Sequence, residues 1–230
     1  MELKNPEMFS AIARRYDILN RILSCGLDRR WRRKTAQAAR LSPGSRVLDV
    51  CTGTADLALS FSEAQPHSCI TGIDLSPAML EIGAAKINAK RCRPQIFLGR
   101  GNALDLPFED SSFDITATAF GLRNIPDYHK GLREMKRVTK TGGRILILEF
   151  APPRKGLWAI LLGGYLKHIV PRIGAWLNNS SQAYAYLSSS IFSFLTPTKL
   201  CRVMEEAELG EITSQPLTGG IAYLYQAKKI

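Results

Sequence analysis

Apolar positions along this 230-residue chain repeat at two different intervals, and the change from one to the other marks its organisation. Over residues 6–40, Phe9, Ile12, Ala13, Tyr16, Leu19 and Leu23 recur at three- and four-residue steps, which predicts helix. Ser42-Pro43-Gly44 then breaks the chain. From Arg46 onward short β-branched runs, at residues 46–50, 68–73, 95–99, 113–119 and 144–150, alternate with helical stretches near 55–64, 77–90 and 128–139. Strands that alternate with helices predict βαβ units, hence a parallel sheet with right-handed crossovers. The chain turns helical and apolar again near 157–176, is helical at 197–207, and ends in two strands at 211–217 and 221–228. Thr218-Gly219-Gly220 between them is a hairpin signal. No internal repeat or low-complexity segment interrupts this order, and the length suits one α/β domain better than two.

Composition narrows the class. A hydrophobic fraction of 45% with 22% charged residues is that of an ordinary soluble protein. Residues 1–16 mix Glu2, Lys4, Glu7, Arg14 and Arg15 into short apolar runs, so no signal-peptide core is expected. The apolar stretch from Gly156 to Leu177 is broken by Lys167, His168, Pro171 and Arg172, which argues against a membrane span. Five cysteines without a CxxC pair suit reduced thiols and a cytoplasmic location. A small buried thiol is the expected role of Cys51, and three scattered histidines predict no metal site. The net charge of +11 is uneven: residues 1–46 hold eleven Lys/Arg against four Asp/Glu, and residues 150–204 hold six Lys/Arg and no acid. Such basic faces attract phosphate backbones or anionic lipids, or are simply solvated.

Candidate binding residues sit where strands end, the place at which open α/β sheets hold ligands. After the first strand comes Cys51-Thr52-Gly53-Thr54-Ala55-Asp56. Gly53 allows close backbone approach, and Thr54 offers a hydroxyl and an amide at a helix N-terminus. With a single glycine, this loop lacks the G-x-G-x-x-G cradle for a pyrophosphate. Asp74 ends the second strand about twenty residues on, where a carboxylate accepts from ribose hydroxyls. Ser76 before Pro77 is the better helix cap, which leaves Asp74 for a nucleoside. Asn102 and Ala103 follow the third strand and could read an adenine edge, although Gly-Asn is also a turn dipeptide. A parallel sheet with these loops and a closing antiparallel hairpin resembles the seven-stranded, doubly wound α/β layout of class I methyltransferases, whose donor is S-adenosylmethionine.

Longer motifs sharpen this. Phe9 to Asp17 with Asn20, Trp31-Arg32, Phe120-Gly121-Leu122-Arg123-Asn124-Ile125-Pro126-Asp127, Leu148-Glu149-Phe150 and Leu217-Thr218-Gly219-Gly220-Ile221 together resemble the ubiquinone/menaquinone biosynthesis C-methyltransferases, over nearly the whole chain. The resemblance implies cofactor contacts at Thr54, Asp74, Asn102 and Ala103, beside Gly53. It implies a polyprenyl quinol as acceptor, with demethylmenaquinol the first reading, the ubiquinone precursor the second, and an RNA or other small-molecule methyltransferase a more distant one. The RNA reading lacks an Asn-Pro-Pro-Tyr loop and a Pro-Cys nucleophile, so no nucleic-acid partner is expected.

In this frame residues 1–41 form a helical lid carrying Tyr16 and Asp17, residues 42–150 the cofactor-binding core, and residues 151–230 the acceptor-side helices and hairpin. Arg123 and Asn124 are the expected catalytic pair. The Arg123 guanidinium stays protonated and would hold a phenolate rather than act as base, unless it pairs structurally with Asp127 or Glu149. No residue stands out as the base. The stripe from Leu157 to Leu166 next to Lys167, His168 and Arg172 is expected either to meet an anionic membrane at its inner face or to pack as core or as a homodimer contact. Three departures from the family pattern stand out: Ala55 in place of a second glycine, Phe194-Leu195-Thr196 in place of a Phe-Pro turn, and Ala207-Glu208-Leu209 in place of Ala-Gly-Phe.

Overall fold

A computed structural model of the chain describes residues 13, 17, 18, 20, 21, 24, 26–90, 95–152, 164 and 189–230. Most of the expected N-terminal lid and the basic apolar stretch 157–176 lie outside them. Helix α1 spans Asp28–Ala38, followed by β1 (Arg46–Val50), α2 (Asp56–Ala64), β2 (Cys69–Asp74), α3 (Pro77–Ala89), β3 (Gln95–Arg100) and β4 (Phe113–Ala119). After a 3-10 turn at Leu122–Asn124 come α4 (Tyr128–Val138), β5 (Thr139–Phe150), α5 (Pro197–Glu206), β6 (Leu209–Leu217) and β7 (Ala222–Lys229).

The seven strands form one sheet in the order β3-β2-β1-β4-β5-β7-β6. The first five are parallel, and β7 runs antiparallel to both β5 and β6. The expected doubly wound sheet with its closing hairpin is therefore present. The strand order reverses between β1 and β4, which puts the ligand crevice over their carboxyl ends.

Period-two alternation sorts the strand residues onto two faces. Leu48, Val50, Ile145 and Ile147 join Leu132, Met135, Leu200 and Met204 in one core layer. Val47, Ile70, Ile115, Ala117 and Leu146 pack with Ala58 and Phe61 in the other. Being covered on both faces, β1 and the second half of β5 are buried almost throughout, as parallel strands usually are. Helix α1 enters through Trp31, which is fully buried between Phe120 and Phe150 and donates its indole N–H to Thr218 Oγ1 at 3.0 Å. Ser76 caps α3, accepting from the Met79 amide at 3.4 Å with Pro77 in the first turn, the role expected of it. One strand is longer than its apolar run: β5 begins at Thr139, where a register irregularity opposite Phe113–Ile115 accommodates Gly142 at φ +76°.

Candidate active site

The loop after β1 is stitched to β2 before any ligand arrives. The Thr52 amide donates to the Ile73 carbonyl at 2.9 Å, and the Gly53 amide to Asp74 Oδ2 at 2.9 Å. Asp74 Oδ1 takes the Ser76 amide at 2.9 Å, and the Gly101 amide reaches the Asp74 carbonyl at 3.1 Å, tying in the end of β3. Gly72 makes this approach possible: a Cβ there would lie 2.8 Å from both Thr52 Oγ1 and Leu98 Cδ2. Gly53 turns through φ +55°, and Cys51 and Ala55 hold φ +59° and +64° despite their side chains. Ala55 thus keeps the left-handed conformation that the usual glycine would adopt easily.

Negative charge is concentrated beneath this loop. Asp49 is fully buried, its Oδ2 accepts from Thr52 Oγ1 at 2.6 Å, and its Oδ1 has no partner among the described residues. Burial, outweighing the Thr52 hydrogen bond and the charge of Arg32, pushes its carboxyl up to about 7. Burial also raises Asp74, against the pull of the Ser76, Gly53 and Leu75 amides. The Cys51 thiol is pushed well up, by burial first and then by Asp74, Asp49 and Glu149, which leaves it a poor nucleophile. One Asp49 oxygen has no hydrogen-bond partner among the described residues, and a cation bound beside these two raised acids would draw them to their ionised form. S-adenosylmethionine bears a sulfonium and an ammonium group, so these residues fit it.

Thr54 looks outward from the same loop. Its hydroxyl donates to Asp17 Oδ1 at 2.6 Å and accepts from Lys86 Nζ at 2.9 Å, and Lys86 also bridges Asp17 at 2.5 Å and Asp56 at 2.6 Å. Asp17, expected in the lid, is therefore fastened to the cofactor loop; Tyr16 lies outside the described residues. Sequence reasoning missed Lys86, which reads there as an ordinary last-turn helix cation. At the end of β3, Asn102 Oδ1 accepts from the Leu104 amide at 3.0 Å, so the turn role is filled on that oxygen, and Ala103 is buried beside it.

After β4 the chain turns through Phe120 at φ +60° and packs Gly121 on the first loop. A Cβ at Gly121 would stand 2.6 Å from Thr118 Oγ1 and 2.7 Å from Cys51 Cβ. Asn124 is half-buried and donates from Nδ2 to the Phe120 carbonyl at 3.2 Å. Arg123 makes the structural pairing that its sequence left open, with Glu149 rather than Asp127. Nη1 donates to Glu149 Oε1 at 2.6 Å and to the Phe120 carbonyl at 2.7 Å, the group lies over the Phe150 ring, and both charged side chains are within 1% of complete burial. A carboxylate as buried as Glu149 requires a cation, and Arg123 is the one the turn supplies. One donor, Nε, has no partner among the described residues.

The profile of the ubiE/COQ5 methyltransferase family matches residues 2–229. This chain belongs to that family. It is a methyltransferase whose donor is S-adenosylmethionine. A demethylmenaquinone methyltransferase of Deinococcus radiodurans is 44% identical over 97% of this chain and 91% of its own length. The ubiquinone/menaquinone biosynthesis C-methyltransferase UbiE of Geotalea daltonii is 42% identical over 98% and 96%. Among solved structures, a SAM-dependent methyltransferase of Thermotoga maritima shares the fold, with a TM-score of 0.65 at 17% identity over 97% of this chain and 98% of that one.

Proposed function

We propose that the protein methylates a ring carbon of a polyprenyl quinol, converting demethylmenaquinol to menaquinol. The observation that carries this reading is the 44% identity, over almost the full length of both chains, to a demethylmenaquinone methyltransferase. The bound donor supplies an electrophilic methyl group; the chain's own residues bind, align and polarise. Asp74 accepts from the ribose hydroxyls, Asn102 and the Ala103 amide meet the adenine edge, and Gly53 and Thr54 bound the amino-acid end. The quinol hydroxyl has an ordinary pKa near 10 and becomes a stronger carbon nucleophile as it loses its proton. Arg123 and Asn124 carry the acceptor side. Glu149 fixes the Arg123 guanidinium, and the uncommitted Nε is the donor left for the forming phenolate.

A polyprenyl tail cannot cross water readily, so the acceptor is taken from lipid, with residues 150–204 meeting an anionic membrane from the cytoplasmic side. Their acid-free basic charge supports this contact. Failure of the protein to sediment with anionic vesicles would leave core packing or a homodimer contact as the use of that stripe. Supplying purified enzyme with labelled donor and either demethylmenaquinol or the methoxy-benzoquinol precursor of ubiquinone tests the substrate. Label in menaquinol supports the proposal; label only in the benzoquinol product replaces it with the ubiquinone reading, and label in neither overturns both.

A further inference from the structure

Beside the Lys86–Asp56 ion pair, a cleft of about 530 Å³ opens among α1, α2 and α3. Leu59, Ser60 and Ala89 line it together with six Lys/Arg side chains and the carboxylates of Asp56 and Glu63. The cations divide into two groups. Lys86 and Lys90 are tied to carboxylates of the opposite wall, Lys86 to Asp56 and Lys90 to Glu63, and Arg32 is turned inward onto Asp28 at 2.6 Å. Arg21, Arg29 and Arg33 are exposed, and their guanidinium groups have no ion-pair or hydrogen-bond partner among the described residues.

Arg29 and Arg33 are four residues apart on one face of α1, a spacing at which like charges repel. The acid that could relieve them, Asp28, is already committed to Arg32. Nothing in the established methyl transfer requires this arrangement. Three guanidinium groups without a counter-charge lining one cleft match the chemistry of phosphate, which arginine binds with paired N–H donors.

We infer that the cleft between α1, α2 and α3 is a second binding site, for an anion bearing phosphate, held by Arg21, Arg29 and Arg33. The inference does not depend on which quinol the enzyme methylates. Such a phosphate can be free, as a soluble diphosphate or phosphate ester, or be the headgroup of a membrane lipid. Both sources present the same oxygens to the same guanidinium groups, and the cleft's size accommodates either.

The test uses the full-length protein and an Arg29→Glu, Arg33→Glu double variant. Both residues are exposed and outside the donor site, so the variant should keep its melting temperature and its affinity for S-adenosylmethionine. Inorganic pyrophosphate is titrated by calorimetry, and binding to phosphatidylglycerol vesicles is measured with and without pyrophosphate as competitor. The expected result is saturable pyrophosphate binding to wild type that weakens with salt and falls by about tenfold or more in the variant. Vesicle binding that pyrophosphate displaces, and that the variant also loses, assigns the site to a lipid headgroup. Pyrophosphate binding without such vesicle binding assigns it to a soluble phosphate. The proposal is overturned if wild type shows no saturable pyrophosphate binding or if the folded variant binds it equally well. Retention of single-stranded RNA by a protein that ignores pyrophosphate would overturn it in favour of a nucleic-acid surface.

Discussion

Replacing Arg123 with Ala should damage stability as well as catalysis, and the amount can be worked out from its surroundings. The guanidinium and the Glu149 carboxylate are 2.6 Å apart and essentially without solvent contact. Removing one partner of such a pair leaves an uncompensated buried charge and costs about 3–5 kcal/mol. Glu149 would keep two donors, the Phe150 amide at 2.8 Å and the Arg123 amide at 3.3 Å, which places the cost near the lower end. For a chain of this size about 3 kcal/mol lowers the melting temperature by roughly 6–12 °C. The sequence left two outcomes open, a loss of rate alone if Arg123 serves the acceptor and a loss of stability if it pairs with Asp127 or Glu149. An Arg123→Met, Glu149→Leu double replacement removes both charges while keeping most of the volume, and swaps of this kind are often neutral for stability. It should therefore regain most of the lost melting temperature and the affinity for S-adenosylmethionine. Its methyl-transfer rate should stay down by about tenfold or more, since the charged donor proposed for the phenolate is gone and only the Asn124 amide remains. Thermal melts, calorimetry with the donor and single-turnover transfer on the same preparations decide the matter. A melting temperature for Arg123→Ala within about 2 °C of wild type would refute the buried-pair argument. Full activity in the double variant would refute any role of Arg123 toward the acceptor.

Asp74→Ala removes the acceptors proposed for two ribose hydroxyls, each charged hydrogen bond being worth about 1.5–3 kcal/mol, so the donor's dissociation constant should rise about tenfold or more; unchanged affinity by calorimetry would remove Asp74 from the site. Because burial raises Asp49 from 3.8 to about 7, the fold favours the protonated acid, and its contribution to stability is full below about pH 4 and lost as the pH rises through 7. Asp49→Asn, which cannot ionise, should escape that decline, gaining on wild type by on the order of a few kcal/mol between pH 4 and pH 8; parallel pH curves for the two proteins would contradict the buried-acid argument. Glu208 stands at φ +54°, a conformation glycine adopts more easily, and its compensation is an exposed ion pair with Lys136 at 2.7 Å. Left-handed backbone strains a non-glycine residue more than so exposed an ion pair offsets, so Glu208→Gly should move the denaturant midpoint upward, and a downward shift would show the ion pair to be the stronger term.

What could be read in advance depended on how far along the chain the cause of a feature lies. The first four strands declare themselves in five to seven consecutive residues rich in β-branched and apolar side chains. The first residues of β5 do not: Thr139 to Gly143 are polar and glycine-rich, and they extend as strand only because Phe113 offers them a partner. Gly53, Asp74, Asn102 and Ala103 were legible as a group because topology alone carries the ends of parallel strands to one edge. Lys86 was not. Its importance lies in meeting Asp17, Asp56 and Thr54, separated from it by up to 69 residues, and no local periodicity records such a meeting. Arg123 lies between these cases. Its motif marked it as important, and Glu149 was one of two partners weighed for it, but the choice between a solvent-facing and a buried guanidinium turns on how completely β5 covers the carboxylate. That is decided by the packing of Phe120 and Phe150, whose rings sit 4.5 Å apart, and only the folded sheet brings them together. Departures from family pattern follow the same rule. Ala55 looked like a threat to the cofactor loop, yet its methyl group finds room because α3 presents Gly83 to it, where a Cβ would approach to 3.1 Å. A substitution that local chemistry marks as strained is thus accommodated by a glycine 28 residues further on, in the helix that also carries Lys86 to the same loop.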